Sequence, residues 1–318
     1  MAHNKSDLEF RLEYAVVLVL WRLLQSMRLP RAERLCYRLL RLILALMPKR
    51  RQLMDDNLAA CFPEKSAAER ARIADESLHN LARGIASYPY IPALCNQNLA
   101  EWGSFEGAER LSEGLKKGKG VICFTAHYGF WEMMAIYVTH LHVKVSMIAR
   151  RMDNPYLDKL ITSIRSSSGG SVIHHRKALK ESLAFLRDNR ILGILIDQNF
   201  YKGGVFVNFF GRPAATTSIV SLLARRTGSV VLPMHNVWDN GKIRLICEPP
   251  ITLSTHPDPE QAMAEDTQLM TSYVEKWIRE DPTQWLWLHN RWKRKPEPED
   301  HVYTPVEKPA ETATQVKN

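Results

Sequence analysis

Cysteine is scarce in this chain and forms no pattern. There are five in 318 residues, an odd number, and no Cys-x-x-Cys. This argues against a disulfide framework and a cysteine zinc site, and sets a reducing, cytosol-facing compartment as the default. His-Glu-x-x-His and Cys/His clusters are missing, so no metal is indicated. Gly-x-Ser-x-Gly is missing, which removes a serine-hydrolase elbow, and no phosphate-binding Gly-rich loop ending in Gly-Lys-Ser/Thr occurs. No cofactor is called for. Long apolar runs are lacking too: Tyr14–Trp21 stops at Arg22, short of the roughly 20 residues of a standard membrane span. Asp7, Glu9 and Glu13 occupy the place where a secretory leader would be basic. No internal repeat or low-complexity block interrupts the body.

Positive charge is plentiful and unevenly placed. The net charge is +9, and residues 1–51 hold eleven Lys and Arg against four acids. Basic residues beside apolar ones suit an anionic membrane surface better than a nucleic acid. Taken through Leu24 with Arg22 snorkelling, the first apolar run is long enough to dip into one leaflet. Leu35, Leu39, Leu42, Ile43 and Leu46, with Arg34, Arg38 and Arg41 between them, form an amphipathic basic helix. A surface helix packed on the domain is the alternative. Residues 1–50 are therefore read as membrane-associated helices, 51–296 as the main domain, and the polar, Pro-rich 297–318 as a disordered tail.

From Gly120 onward apolar strands alternate with helices. Val121–Thr125, Val143–Ala149, Ser171–His174, Ile191–Ile196, Val230–Pro233 and Lys242–Cys247 read as strands. Helices are expected to His140, over 154–167, 178–187, 217–226 and 261–280. This pattern predicts an α/β domain with a mixed, largely parallel sheet flanked by helices. Ligands in such sheets bind beyond the strand carboxyl ends, where His127, Arg150 and Asp197 all fall.

His127 and Glu132 are the first candidates, as a general base and the carboxylate that orients it. Among the 11 histidines only His127 has a carboxylate five positions on, and roughly one such match is expected by chance. Five positions within one helix point about 140° apart. The two can meet only if His127 precedes the helix and Gly129 acts as a joint. Without that setting, a solvated histidine beside an exposed glutamate explains the spacing. Arg150-Arg151 suits phosphate or a developing oxyanion, or is a solvated pair. Asp197-Gln198-Asn199 closes a very apolar strand as a cap or as site residues. Residues 205–217 join an aromatic run, Gly211-Arg212-Pro213, and Thr216-Thr217 at a helix start. That arrangement suits an anion site or a hairpin covering the core. Trp285-Leu286-Trp287-Leu288-His289-Asn290-Arg291-Trp292-Lys293 mixes indoles with cations, which fits an interface or a buried terminal segment. Cys123, in mid-strand, reads as a small buried hydrophobe.

Taken together and in order, these segments resemble the bacterial lipid A biosynthesis late acyltransferases, the lauroyl/myristoyl transferase family. The resemblance rests on His127-x4-Glu132, Arg150 with Asp153-Asn154-Pro155, and Asp197-Gln198. It also rests on Phe209-Phe210-Gly211 with Thr216-Thr217 and on the Trp-rich ending, and Asn57-Leu58 and Phe62-Pro63-Glu64 match upstream. It covers roughly residues 10–296. It departs from the common pattern at Asn290, where many members carry Arg. The resemblance implies a glycerophosphate-acyltransferase-like α/β fold with an N-terminal membrane-associated helical segment. It implies a place on the cytoplasmic face of the cell inner membrane. The implied reaction moves a fatty acyl chain from acyl carrier protein, or coenzyme A, to a hydroxyl of a lipid A precursor. His127 and Glu132 match the catalytic pair, and Arg150, Asp197, Gln198, Arg212 and Thr217 are expected to bind substrate. Direct transfer is expected, the oxyanion being held by N–H groups near Gly129 with help from Arg150. Another glycolipid acceptor, such as a phosphatidylinositol mannoside, is the alternative substrate, and a non-catalytic membrane scaffold the alternative class. A glycerol phosphate acceptor is disfavoured: the only Phe-Pro-Glu is followed by Lys65, not by the Gly-Thr of phospholipid acyltransferases.

Overall fold

The computed structural model describes residues 5–94, 99–174, 178–201, 204–298, 300 and 302–303. Most of the expected tail, and Cys95, lie outside the described residues. Four helices open the chain: α1 (Asp7–Gln25), α2 (Leu29–Leu46), α3 (Pro48–Cys61) and α4 (Ala67–Ser87). Ser6 and Glu9 cap α1 reciprocally, and Ser66 and Glu69 do the same for α4, each satisfying N–H groups that a helix start leaves orphaned. The break before α4 falls at Phe62-Pro63, as the sequence predicts.

A short helix α5 (Ile91–Leu94) leads to β1 (Gly103–Glu106), α6 (Glu109–Lys116), β2 (Val121–Thr125), α7 (Glu132–Thr139) and β3 (Val145–Ala149). Next come α8 (Pro155–Arg165), β4 (Ser171–His174), α9 (Ala178–Arg187) and β5 (Ile191–Leu195). The chain continues through β6 (Val205–Phe209), β7 (Arg212–Thr216), α10 (Ile219–Thr227), β8 (Val230–Asp239), β9 (Lys242–Cys247) and α11 (Pro259–Glu280). Seven strands form one sheet in the order β1-β9-β8-β2-β5-β3-β4, and only the β8–β9 hairpin in it is antiparallel. The mixed, largely parallel sheet is thus present. Residues 205–216 form the separate β6–β7 hairpin.

Both faces of the central strands are buried, which is why β2 and β5 read as unbroken apolar runs. Ile122, Phe124, Leu192 and Ile194 join a core with the inner faces of α9, α10 and α11 and with Trp285, Trp287 and Trp292. Val121, Cys123, Val145 and Ile191 face the other way, toward α7 and Ile164 of α8. The first helices dock on this body. Leu24, Ala32 and Cys36 pack against Ala82 and Ala86 of α4. The side-chain amide of Asn154 donates to the Phe10 carbonyl and to the Glu13 carboxylate, and Tyr156 donates to Asp7. Asn154 also caps α8, so one residue ties α1 to the loop that follows β3. Among the described residues no helix is long and apolar enough to cross a membrane. Leu8, Leu12, Val16, Val19 and Leu23 of α1 stand exposed, and their spacing of three or four aligns them in one stripe. On α2 the expected apolar face divides: Leu35 and Leu39 are half-buried, whereas Leu42, Ile43 and Leu46 are exposed.

Candidate active site

Strand register brings the first two site residues together. Thr125 pairs with Leu195 in the parallel β2–β5 ladder, so His127 and Asp197 both stand two residues past the same rung. His127 Nδ1 lies 2.8 Å from Asp197 Oδ1, and the His127 N–H donates to Oδ2 at 2.9 Å. The Trp285 indole donates to Oδ2 as well, at 2.8 Å. Burial alone would raise the Asp197 carboxyl, but the charge of His127 and these three hydrogen bonds outweigh it and hold it at about 2. An ionised Asp197 can only accept, so Nδ1 carries a proton, and in the neutral tautomer it is Nε2 that has the lone pair. Gln198 Nε2 sits 3.1 Å from that nitrogen, and Trp131 packs edge-on against the imidazole at 4.9 Å between ring centroids.

The carboxylate expected to back His127 is engaged elsewhere. Glu132 heads α7 and accepts two hydrogen bonds from Arg165, at 3.0 Å from Nε and 2.6 Å from Nη2. The pair is nearly enclosed, with Tyr88 beside it, and the Tyr88 phenol is pushed up by burial and by the Glu132 charge. A buried carboxylate needs such a partner. The Nδ1 proton of His127 therefore goes to Asp197, because strand register places that carboxylate 2.8 Å from Nδ1 while α7 aims Glu132 at Arg165 of α8. His127 and Glu132 still line one cavity, whereas Asp197, expected to bind substrate, is buried behind the ring and does not line it.

Gly129 is more than a joint. Its φ is +61° and a Cβ there would stand 2.1 Å from the Asn236 carbonyl oxygen, so only glycine fits. Two of the N–H groups near it, those of Gly129 and Phe130, are already taken. Gly129 donates to the Gln284 carbonyl at 2.9 Å and Phe130 to Asn236 Oδ1 at 2.7 Å.

A cavity of about 300 Å³ opens beside His127 and runs between α7 and the sheet. Thr125, His127, Glu132, Arg150, Arg165 and Gln198 supply its polar groups, and Met134, Val138, Val145, Met147, Ile191 and Leu195 much of the rest. Arg150 stands at it with an exposed side chain paired to Asp153. Arg212 and Thr217 do not line it. The Arg212 guanidinium lies 4.5 Å over the Trp292 ring. Thr217 Oγ1 accepts the Ile219 N–H at the start of α10, so both serve the hairpin and its helix. Among the described residues no group of three or more His, Cys, Asp or Glu could hold a metal ion.

The Trp-rich ending supports the site from behind. Leu286 N–H donates to the His127 carbonyl, and the side-chain amide of Asn57 donates to the carbonyls of Trp287 and His289. His289 Nε2 accepts the Asn199 N–H, and burial lowers the His289 ring to about 4, keeping it neutral. Arg291 is buried and donates to the carbonyls of Ala215 and Gln198. Arg165 and Gly193 escaped the sequence reading. An arginine in the last turn of a helix gives no signal of its own, whereas a glycine inside a central strand does mark a close approach or an open space.

The family model described as "Bacterial lipid A biosynthesis acyltransferase" matches residues 4–294. The lipid A biosynthesis lauroyltransferase of Escherichia coli K12 is 29% identical over 88% of this chain and 90% of its own. The palmitoleoyltransferase of the same organism is 26% identical over 81% and 83%, and its myristoyltransferase 24% identical over 76% and 73%. A solved structure, the 1-acyl-sn-glycerophosphate acyltransferase of Thermotoga maritima, superimposes with a TM-score of 0.35 at 16% identity, over 62% of this chain and 79% of that one.

Proposed function

This chain belongs to the bacterial lipid A biosynthesis acyltransferases, and from that premise we propose that it moves a fatty acyl chain from an acyl carrier protein or coenzyme A thioester to a hydroxyl of a lipid A precursor, with His127 as general base. The relatives' names agree that it is an enzyme transferring acyl groups. The observation that carries the mechanism is the His127–Asp197 pair at the polar end of a largely apolar cavity.

The acceptor hydroxyl takes the place of the Gln198 amide at His127 Nε2. Its oxygen attacks the thioester carbonyl as its proton passes to Nε2, and Asp197 stabilises the imidazolium. The tetrahedral intermediate collapses, the carbon–sulfur bond breaks, and the thiolate recovers the proton from His127. The displaced Gln198 amide and Arg150 are donors beside the developing oxyanion, with the free N–H groups at the start of α7. The apolar stretch of the cavity takes the acyl chain. The fold is proposed to be of the glycerophosphate-acyltransferase kind, in which a strand-end histidine does the chemistry. Residues 51–296 form the acyltransferase domain, and residues 1–50 hold it to the cytoplasmic face of the inner membrane. The exposed stripe of α1 and the basic residues around it support that placement.

The test is acyl transfer by the purified protein from an acyl thioester to a lipid A precursor, followed by mass spectrometry of the lipid. His127→Ala is expected to lower turnover by about 10² to 10⁴, the usual share of a positioned base. Near-normal transfer by that variant would overturn the mechanism. Failure of the wild-type enzyme to acylate the precursor, with transfer to another glycolipid, would overturn the acceptor.

A further inference from the structure

We infer that Gly193 sets the length of acyl chain the enzyme accepts; this deepens the proposed reading and rests on it. Strand parity arranges the floor of the cavity in rows. Thr125 and Leu195 pair nearest the dyad, Cys123, Gly193 and Met147 form the middle row, and Ile191 and Val145 the far one. From His127 to the far row is six residues of strand, roughly 20 Å. A chain whose carbonyl sits at His127 crosses the middle row before it reaches Ile191.

In that row β5 contributes no side chain. A Cβ built on Gly193 meets nothing within 4 Å but the Ser146 carbonyl oxygen, at 3.8 Å, an ordinary contact. Its φ is not in the left-handed region, so the backbone does not require glycine. The contrast with neighbouring glycines is sharp: a Cβ would stand 2.7 Å from Val121 at Gly114 and 2.7 Å from the Leu186 carbonyl at Gly120. Glycine within a strand costs stability and packs nothing. What Gly193 leaves is open floor between Cys123 and Met147, directly in the path of the chain. A side chain there would stop a longer acyl group short of the Ile191–Val145 row.

The experiment compares wild type, Gly193→Ala and Gly193→Val across a ladder of saturated acyl thioesters. In Gly193→Val, kcat/KM for the longest donor that wild type accepts should fall about ten- to hundredfold relative to the next-shorter even-numbered donors. Gly193→Ala should shift the profile the same way by less, and KM for the acceptor lipid should hold. Because an alanine Cβ meets no clash, that variant decides the matter if Gly193→Val melts early. An unchanged length profile in an active variant, or an equal loss for every donor, overturns the inference. A wild-type enzyme that transfers no acyl group from any donor would instead overturn the functional reading beneath it.

Discussion

Glu132 commits both carboxylate oxygens to Arg165, and this separates two roles that spacing alone would merge. Glu132→Gln leaves a largely buried guanidinium without its counter-charge. The expected cost is about 3 kcal/mol, the low end for such a break, since Arg165 keeps 22% of its side chain exposed. A urea melt would show it as a lower midpoint. Once folded, that variant should keep kcat within about tenfold of wild type, because the Glu132 carboxylate does not touch the imidazole. Asp197→Asn, by contrast, should lower kcat by about 10⁴, because an amide in its place no longer holds the ring in the tautomer that leaves Nε2 free. If Glu132→Gln cost that much kcat and Asp197→Asn did not, Glu132 would be the partner of His127 after all.

At the scale of elements, α1 leaves an apolar stripe in the open while its other contacts hold it beside the loop after β3. Val16→Asp with Val19→Asp touches side chains about 70% exposed, so the fold should lose no more than about 0.5 kcal/mol at each. Binding to vesicles containing phosphatidylglycerol should fall by more than about tenfold, since each valine forgoes about 1.5 kcal/mol of burial. Unchanged co-sedimentation would remove α1 from the membrane contact. Most elements were legible because their burial is. Ile122, Phe124, Leu192 and Ile194 on one face, with Val121, Cys123 and Ile191 on the other, make β2 and β5 apolar on both sides, and Asn240-Gly241 has the turn chemistry of a hairpin. The β8 strand reads as ending near Pro233 yet runs to Asp239, because Asn236 and His235 are polar residues buried by pairing with β9. The His127–Asp197 contact was not legible as a bond. Seventy residues separate the two, and only the β2–β5 register decides that Asp197, not the sequence-near Glu132, meets the ring.

Across the whole molecule, buried neutral histidines set the response to acid. Burial lowers His289 to about 4 and, with Lys276 and Arg244 nearby, His235 to about 3. Both lie below the unfolded value of about 6.5, so the unfolded chain binds more protons between them. Their contribution is whole above pH about 6.5 and is lost as the pH falls toward 4 and then 3. Asp197, held at about 2 against about 3.9 unfolded, adds a second loss as pH falls through that lower window. The melting temperature should therefore drop below pH 6.5, and His235→Phe should flatten the first part of the fall. A melting curve as steep in that variant as in wild type would show that His235 does not titrate with unfolding.

The segment that seats the dyad is made well after the dyad itself. Trp285 and Leu286 hold Asp197 and the His127 carbonyl, some ninety to a hundred and sixty residues after those partners leave the ribosome. Since synthesis runs from the amino end, a nascent chain already carries α1 and the imidazole while the segment that seats the ring is still to be made. A chain cut short before Trp285 would keep the histidine and the carboxylate but lose both contacts that seat them.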